Sequence, residues 1–599
     1  MKKITIEVVV VVLSFVIGLS NLNAQDLLRK VSLEKQIENS SLVVEGKVIS
    51  KKSFWDAENK HIYTANTIEV YKVFKGEPVA TIEVITPGGT VGLFAERVTP
   101  SLNLHTDAVG VFTLYPSNVQ MKASDKSGVK QFKPYGSSQG FYKYSLHENV
   151  AANVFNKKQG ISASFYDEIR SYTKSKYIEL SNFDAQATYS KASQSKATLA
   201  PSGITFSPTT ITAGTKSILT INGTGFGTTK GKVSFRNADD GGATFIDALS
   251  TQLLTWNNTQ ITVEVPSEAG TGPVMVTDAA PSPASDVSAS NLTISYSEIN
   301  VVQNGGNLAY RVQHVNDNGS GGYTFQLFTD FNNNTAAKAA FTRAHDSWRC
   351  QTGINWTIGA TTSIDVAASD GTNVIRFDNG AELDPTELGR TSYYYSGCGT
   401  APNINWYVTE MDFVFDDTTD WNFGPAPTPA VIGKYDFESV ALHELGHGHQ
   451  LGHVIDDNDV MNYALQFALD RRVLGTSNIT VASAIQTRST SINPCPAPPF
   501  NTTVMTNHPC YLSVEEAALN EAINIYPNPT KGQFNVQNTS LINLEKVVVY
   551  DVSGRLILKT DMLNAPRIKT VNLLGASRGM YFVSIYSDKA MITKKIILE

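Results

Sequence analysis

Along the first third of the chain apolar and polar residues alternate almost one for one, as in LVVEGKVIS (42–50), TIEVYKVFKG (67–76) and TIEVITPGG (81–89). A period of two broken by glycine-containing turns predicts half-buried antiparallel strands, so residues 25–185 are expected to form a small, barrel-like β domain. Residues 186–200 are rich in Ser, Ala and Lys without an apolar period, and read as an exposed linker. Short strand-like segments return over 201–297 and from 522 to 599. Between them, over 298–515, the texture changes. Thr335 to Arg349 places its apolar residues at helical spacing, and NVIRFDN, TSYYYS and WYVTEMDFVFDD follow as strands. A second helix opens at Asp436, a good N-cap, with Glu438 in the first turn at the positive end of the helix dipole. The expected fold class is multidomain: an α+β domain with a twisted mixed sheet, flanked by all-β domains.

At 599 residues the chain exceeds what one core can organise. A net charge of −7 and a pI near 5.9 give no electrostatic case for nucleic acid. Lys2 and Lys3, an apolar run from Val8 to Leu19, and Leu22-Asn23-Ala24 read as a signal peptide over 1–24. Export permits disulfides. The only cysteines are Cys350, Cys398, Cys495 and Cys510, and pairing neighbours gives Cys350–Cys398 and Cys495–Cys510 as the expected bridges. The Asn/Asp-rich stretches DFNNN (330–334) and DDND (456–459) have the oxygen ligands calcium takes, although solvated loops are the commoner use of such composition.

The chemistry concentrates in HELGHGHQLGH, residues 443–453. Residues four apart on a helix share a face, so His443 and His447 can bind one zinc ion. Glu444, one step round the helix, is placed to act on water at that ion as a general base. On an unbroken helix His453 would lie about 15 Å along the axis from His443, so it joins them only if the chain turns after His447. His449 then falls outside the ligand set.

This run, followed by Met461 in DVMNY, resembles the metzincin clan of zinc endopeptidases, with matrixin-like spacing to the methionine. The resemblance implies one catalytic Zn²⁺ on His443, His447 and His453, Met461 in a turn beneath it, and Tyr463 as a zinc ligand, an oxyanion donor or simply pocket wall. It further implies hydrolysis of a protein or peptide substrate by metal-activated water with Glu444 as base, and a strand containing Asp412, Phe413 and Val414 that receives extended substrate. Gln450 departs from the pattern, standing where the family places glycine. Either it adopts the left-handed conformation at roughly 1 kcal/mol, or the turn moves to Gly448 or Gly452. No cysteine precedes Cys350, so a thiol from the N-terminal domain cannot hold the enzyme latent. That domain can still be a removable inhibitor.

Residues 201–297, with their GTGFG turn and a late NTQITVEVP strand, resemble the IPT/TIG immunoglobulin-like domains. The tail 522–599, with YPNPT, VVVYDVSGRLI and RGMYFVSIYS, resembles type IX secretion sorting domains, which implies engagement of that machinery and a secreted or outer-membrane-surface location. The competing expectation is a surface adhesin carrying a disused protease fold.

Overall fold

The computed structural model describes residues 28–194, 200–280, 283–303, 307–380, 382–384, 386–425, 434–465, 470–508, 519–552, 555–563, 565–587 and 590–599. The leader segment 1–24 and Cys510 lie outside them. The protein is multidomain and mostly β. Two compact units divide the chain, one ending at His508 and the other running from Pro509 to Glu599. No helix among the described residues is long and apolar enough to cross a membrane.

The alternating N-terminal segments pair into a ring. Leu42–Trp55, Ile62–Lys75 and Thr81–Pro87 are sequential antiparallel neighbours. Gln131–Pro134 lies parallel to the third, and Val109–Pro116 joins it back to the first. Val44, Val48, Ile68, Val84, Phe112 and Leu114, the inward half of the alternation, pack together in one of its cores. Between the third and fourth ring strands the chain leaves the ring as a hairpin, Gly89–Val91 and Phe94–Thr99. Within the segment read as linker, Ala185–Gln194 is a helix, because Ala, Gln and Lys favour helix even where no apolar stripe repeats.

Residues 202–297 form two facing sheets. One runs Ser202–Ser207, Ile218–Thr224, Gln260–Glu264, Leu253–Trp256; the other Thr210–Ala213, Ser285–Ser297, Ala269–Thr277, Lys232–Asn237, Phe245–Asp247. Leu219, Ile221, Val233, Phe235, Ile261, Val274 and Leu292 fill the space between them.

In the central domain Trp356–Ile358, Tyr323–Leu327, Asn373–Phe377 and Asn403–Phe415 run parallel in that order, and Gly389–Thr400 returns antiparallel beside the last. Helices Thr335–Thr352, Phe437–Gly448 and Thr476–Ser491 share one core with the sheet, in which Phe341, Trp348, Leu442, Leu445 and Ile485 meet Phe325 and Phe413.

Asp412, Phe413 and Val414 are therefore not a substrate-receiving strand. They belong to an interior strand with neighbours on both sides. The Asp412 carboxylate accepts hydrogen bonds from the backbone amides of Ala368 at 3.0 Å and Val374 at 2.9 Å. Phe413, Val414 and Phe415 are apolar on consecutive positions because both faces of the strand are covered. The outer strand of the domain is Gly389–Thr400, and Phe94–Thr99 of the N-terminal domain pairs antiparallel along it, from Thr391↔Thr99 to Ser396↔Phe94.

The expected cysteine pairing is also overturned. Cys398, near the end of that outer strand, is bonded to Cys495, and Cys350 is disulfide-bonded as well. Chain proximity was the wrong guide. The turn after Asn493 lies against the paired strands Gly389–Thr400 and Asn403–Phe415, where the Pro494 carbonyl accepts a hydrogen bond from Asn405 Nδ2 of the second at 3.0 Å.

The second unit has its own core. Ile523–Tyr526, Gln533–Asn538 and Ile568–Asn572 form one sheet, and Leu556–Asp561, Leu544–Asp551, Gly579–Ser587 and Met591–Leu598 another. Phe534, Val536, Val547, Val549, Val583 and Ile596 are buried between them.

Candidate metal centre

The helix Phe437–Gly448 is buried along its whole length. Asp436 caps it, accepting from the Ser439 amide at 3.0 Å, and Glu438 in its first turn is paired with Arg343 and Arg472. The helix stops at Gly448, and Gln450 takes φ +70°. That left-handed residue redirects the chain so that His453 returns to His443 and His447. The ligand-capable atoms of the three lie within 4.8 Å of one another.

The orientation of each ring is fixed from behind. His443 Nδ1 faces the Val460 carbonyl at 2.7 Å, His447 Nδ1 the Leu451 carbonyl at 2.9 Å, and His453 Nδ1 an Asp239 carboxylate oxygen at 2.8 Å. These oxygens only accept, so each ring places a proton on Nδ1 and, when neutral, a lone pair on Nε2. His447 Nε2 and His453 Nε2 stand 3.1 Å apart, and His443 Nε2 is buried with no hydrogen-bond partner. Burial, together with the neighbouring histidines, holds His443 and His447 well below the ordinary histidine pKa. Two ligands of a tetrahedral zinc at 2.0–2.1 Å are separated by about 3.3 Å. The three rings fit such an ion.

Glu444 is fully buried. Thr391 Oγ1 donates to its Oε2, while its Oε1 has no partner. Burial pushes its carboxyl up to about 8, against the Thr391 bond, which lowers it. Thr391, Tyr393 and Tyr395 alternate along the outer strand and so share a face. Thr391 holds Glu444, Tyr393 meets Thr99 of the inserted strand (Oη–Oγ1 2.6 Å), and the Tyr395 hydroxyl donates to Gln450 Oε1 at 2.8 Å.

Met461 is buried under the helix, where a Cβ on Gly446 would come within 2.3 Å of its sulfur. The Met461 amide donates to Asp459 at 2.8 Å, which fixes the turn. Tyr463 lines the same cavity as His447 and His453, and its ring rests on Gly241 of the 202–297 domain. His449 points the other way. Its Nε2 meets Thr352 Oγ1 at 3.1 Å, its ring packs between Trp348 and Trp356, and burial lowers its pKa to about 3. The cavity encloses about 180 Å³ and is also lined by Arg97 and Asp239.

In the stretches considered for calcium, two residues have hydrogen-bonding roles. Asn334 caps a helix by accepting from the Ala337 amide, and Asp459 holds the Met461 turn. The acidic group found among the described residues is Asp378, Asp416 and Asp417, with Arg29 already on Asp416. Asp239, Thr391 and Tyr395 were not anticipated. The alternation in TSYYYS carried a signal for the last two; Asp239 lies 214 positions before His453, and nothing local marks it.

Comparison with known proteins divides the chain. Residues 524–599 match the secretion system C-terminal sorting domain. Residues 201–296 match the IPT/TIG domain. No curated protein matches the chain. A solved DUF3244-family protein with an immunoglobulin-like β-sandwich fold, from Bacteroides vulgatus, is 14% identical over 13% of this chain and 85% of its own, with a TM-score of 0.12. The sorting domain directs the chain to the secretion machinery, and the protein is secreted or held at the outer-membrane surface.

Proposed function

We propose that the central domain is a zinc-dependent endopeptidase of metzincin type. The observation that carries this reading is the convergence of three histidine rings, each with its Nδ1 turned to an acceptor oxygen. A proton shared between His447 and His453 satisfies one pair and leaves His443 Nε2 buried and unpaired. One metal ion satisfies all three. The order of the motif in the sequence, with Met461 beneath the helix, supports the same assignment.

A zinc ion held there supplies Lewis acidity that makes water a nucleophile near neutral pH. The chain's own groups do the rest. Glu444, with Thr391 fixing one oxygen and the other free, receives the proton of the attacking water and delivers it to the leaving amine. Tyr463, in the wall of the cavity, donates to the oxygen on which charge develops. An extended peptide is received along Gly389–Thr400 by strand addition. That ladder is occupied by Phe94–Thr99, so the N-terminal domain is the cover of a latent enzyme and must be displaced or removed before substrate enters.

The test measures zinc content and casein cleavage by the full chain before and after limited proteolysis. Glu444→Gln is expected to retain zinc and lose activity by 10²–10⁴-fold. Wild-type turnover by that variant, or a wild-type chain that takes up no zinc, overturns the assignment. A surface-binding protein with a disused site has the zinc-free or inactive outcome as its own signature.

A further inference from the structure

The third histidine is the least self-supporting part of the site. His443 and His447 ride on a buried helix, but His453 follows the turn that ends it. Three features of the IPT/TIG domain and its exit strand meet that turn. The Ile299 amide donates to the Gln450 carbonyl and the Gly452 amide to the Ser297 carbonyl, both at 2.9 Å, around a bridge between Glu298 and Leu451. Asp239 accepts from His453 Nδ1 at 2.8 Å. Gly241 receives the Tyr463 ring so closely that any Cβ would lie 2.6 Å from it.

Asp239 is itself held firmly. It sits in the short turn Ala238–Asp240, where the Asn237 side chain accepts from its amide at 3.1 Å. The Gly242 amide closes the turn on the Asn237 carbonyl at 2.7 Å, and the Ala238 amide anchors it to the Glu268 carbonyl at 2.8 Å. A carboxylate behind a metal-binding imidazole fixes its tautomer and raises its basicity, and losing such a partner typically costs 10–100-fold in metal affinity.

We propose that Asp239 is a positioning residue for His453, so that the metal centre is shared between the central domain and the IPT/TIG domain. The inference rests on the zinc reading above. It makes the IPT/TIG domain a structural part of the site, not a spacer, and couples its docking to metal binding.

The experiment is zinc titration of the full chain against a chromophoric chelator, with Co²⁺ absorption as a second readout. Asp239→Ala is expected to bind zinc 10–100-fold more weakly and to alter the ligand-field bands of bound Co²⁺. Asp239→Asn, which keeps an acceptor but no charge, should recover part of the affinity. Asp247→Asn, on the same domain but paired with Lys232, should behave as wild type in both. Thermal unfolding of the metal-free variants identifies any that fail to fold, and Asp239→Asn, close in shape to the original, then carries the comparison. Wild-type zinc binding with Asp239→Ala and Asp239→Asn both within twofold of it overturns the inference alone. A wild-type chain that binds no zinc overturns the inference together with the reading beneath it.

Discussion

Gln450 stands where its resemblance calls for glycine, and the obvious substitution tests what the structure says about that position. At φ +70° a residue with a Cβ is strained by about 1–2 kcal/mol. Glycine relieves this but loses more freedom on folding, which returns about 0.5–1 kcal/mol. The side chain does more than fill space. It is buried, its Oε1 accepts from Tyr395 at 2.8 Å, and its Nε2 donates to the Gly448 carbonyl at 3.2 Å. Removing it strands the buried Tyr395 hydroxyl, at about 1–3 kcal/mol, and leaves a void with its own cost. The hydrogen bond therefore wins. Gln450→Gly is expected to destabilise the first unit by about 1–3 kcal/mol, and Gln450→Ala, which keeps the strain, by more. Adding Tyr395→Phe to Gln450→Gly removes the stranded donor and should recover part of the loss. Calorimetric melting of the full chain, read as the shift of the first unit's transition, measures the order wild type, then Gln450→Gly, then Gln450→Ala. A glycine variant that melts at or above wild type refutes the reasoning.

Gly446→Ala should also destabilise, by about 1–2 kcal/mol, because its methyl would lie 2.3 Å from the buried Met461 sulfur and the overpacking outweighs the gain in helix propensity; melting compares it with wild type. In the inserted strand, adjacent amides point to opposite sides, so one of Arg97 and Val98 must direct its N–H toward the outer strand. Of Arg97→Pro and Val98→Pro, that one should raise peptide turnover by the unprocessed chain at least tenfold if the strand is a cover; equal, wild-type-low turnover from both, in folded protein, counts against it.

The parts of this molecule that were legible in its sequence are those set by local periodicity. Alternation in LVVEGKVIS and TIEVYKVFKG encodes paired strands because one face is buried and the other is not. Asp436 and the i, i+4 histidines are equally local, since a cap and a helical face need only a few residues. Long-range partnerships were not legible. DFVF gave no sign of which strands would flank it, and only the resemblance assigned it to substrate. Cys398 found Cys495 across the fold, not its neighbour along the chain. The polar contacts around the site fall into the same two groups: Leu451 and Val460 follow their histidines along the chain within a turn or a loop, whereas Asp239 reaches His453, and Thr391 reaches Glu444, only through tertiary packing.

That division bears on how the site works. A helix can present two ligands by itself, but a third that follows its end needs the turn to be held from outside. Here Gln450 makes the turn with help from Tyr395 on the outer strand, and Ser297 and Ile299 clamp its far side. The outer strand therefore has two duties: its inward face orients Glu444 and Gln450, while its open edge carries the ladder of Phe94–Thr99. Displacing the inserted strand would expose the backbone amides and carbonyls that the proposed function assigns to substrate, without disturbing Thr391 or Tyr395, because side chains and ladder bonds of one strand point in perpendicular directions. Removing the IPT/TIG domain would instead take away Asp239 and the clamp together. If the proposed reading holds, the two flanking domains differ in kind: displacing the first opens the Gly389–Thr400 edge, whereas removing the second takes away a partner of His453.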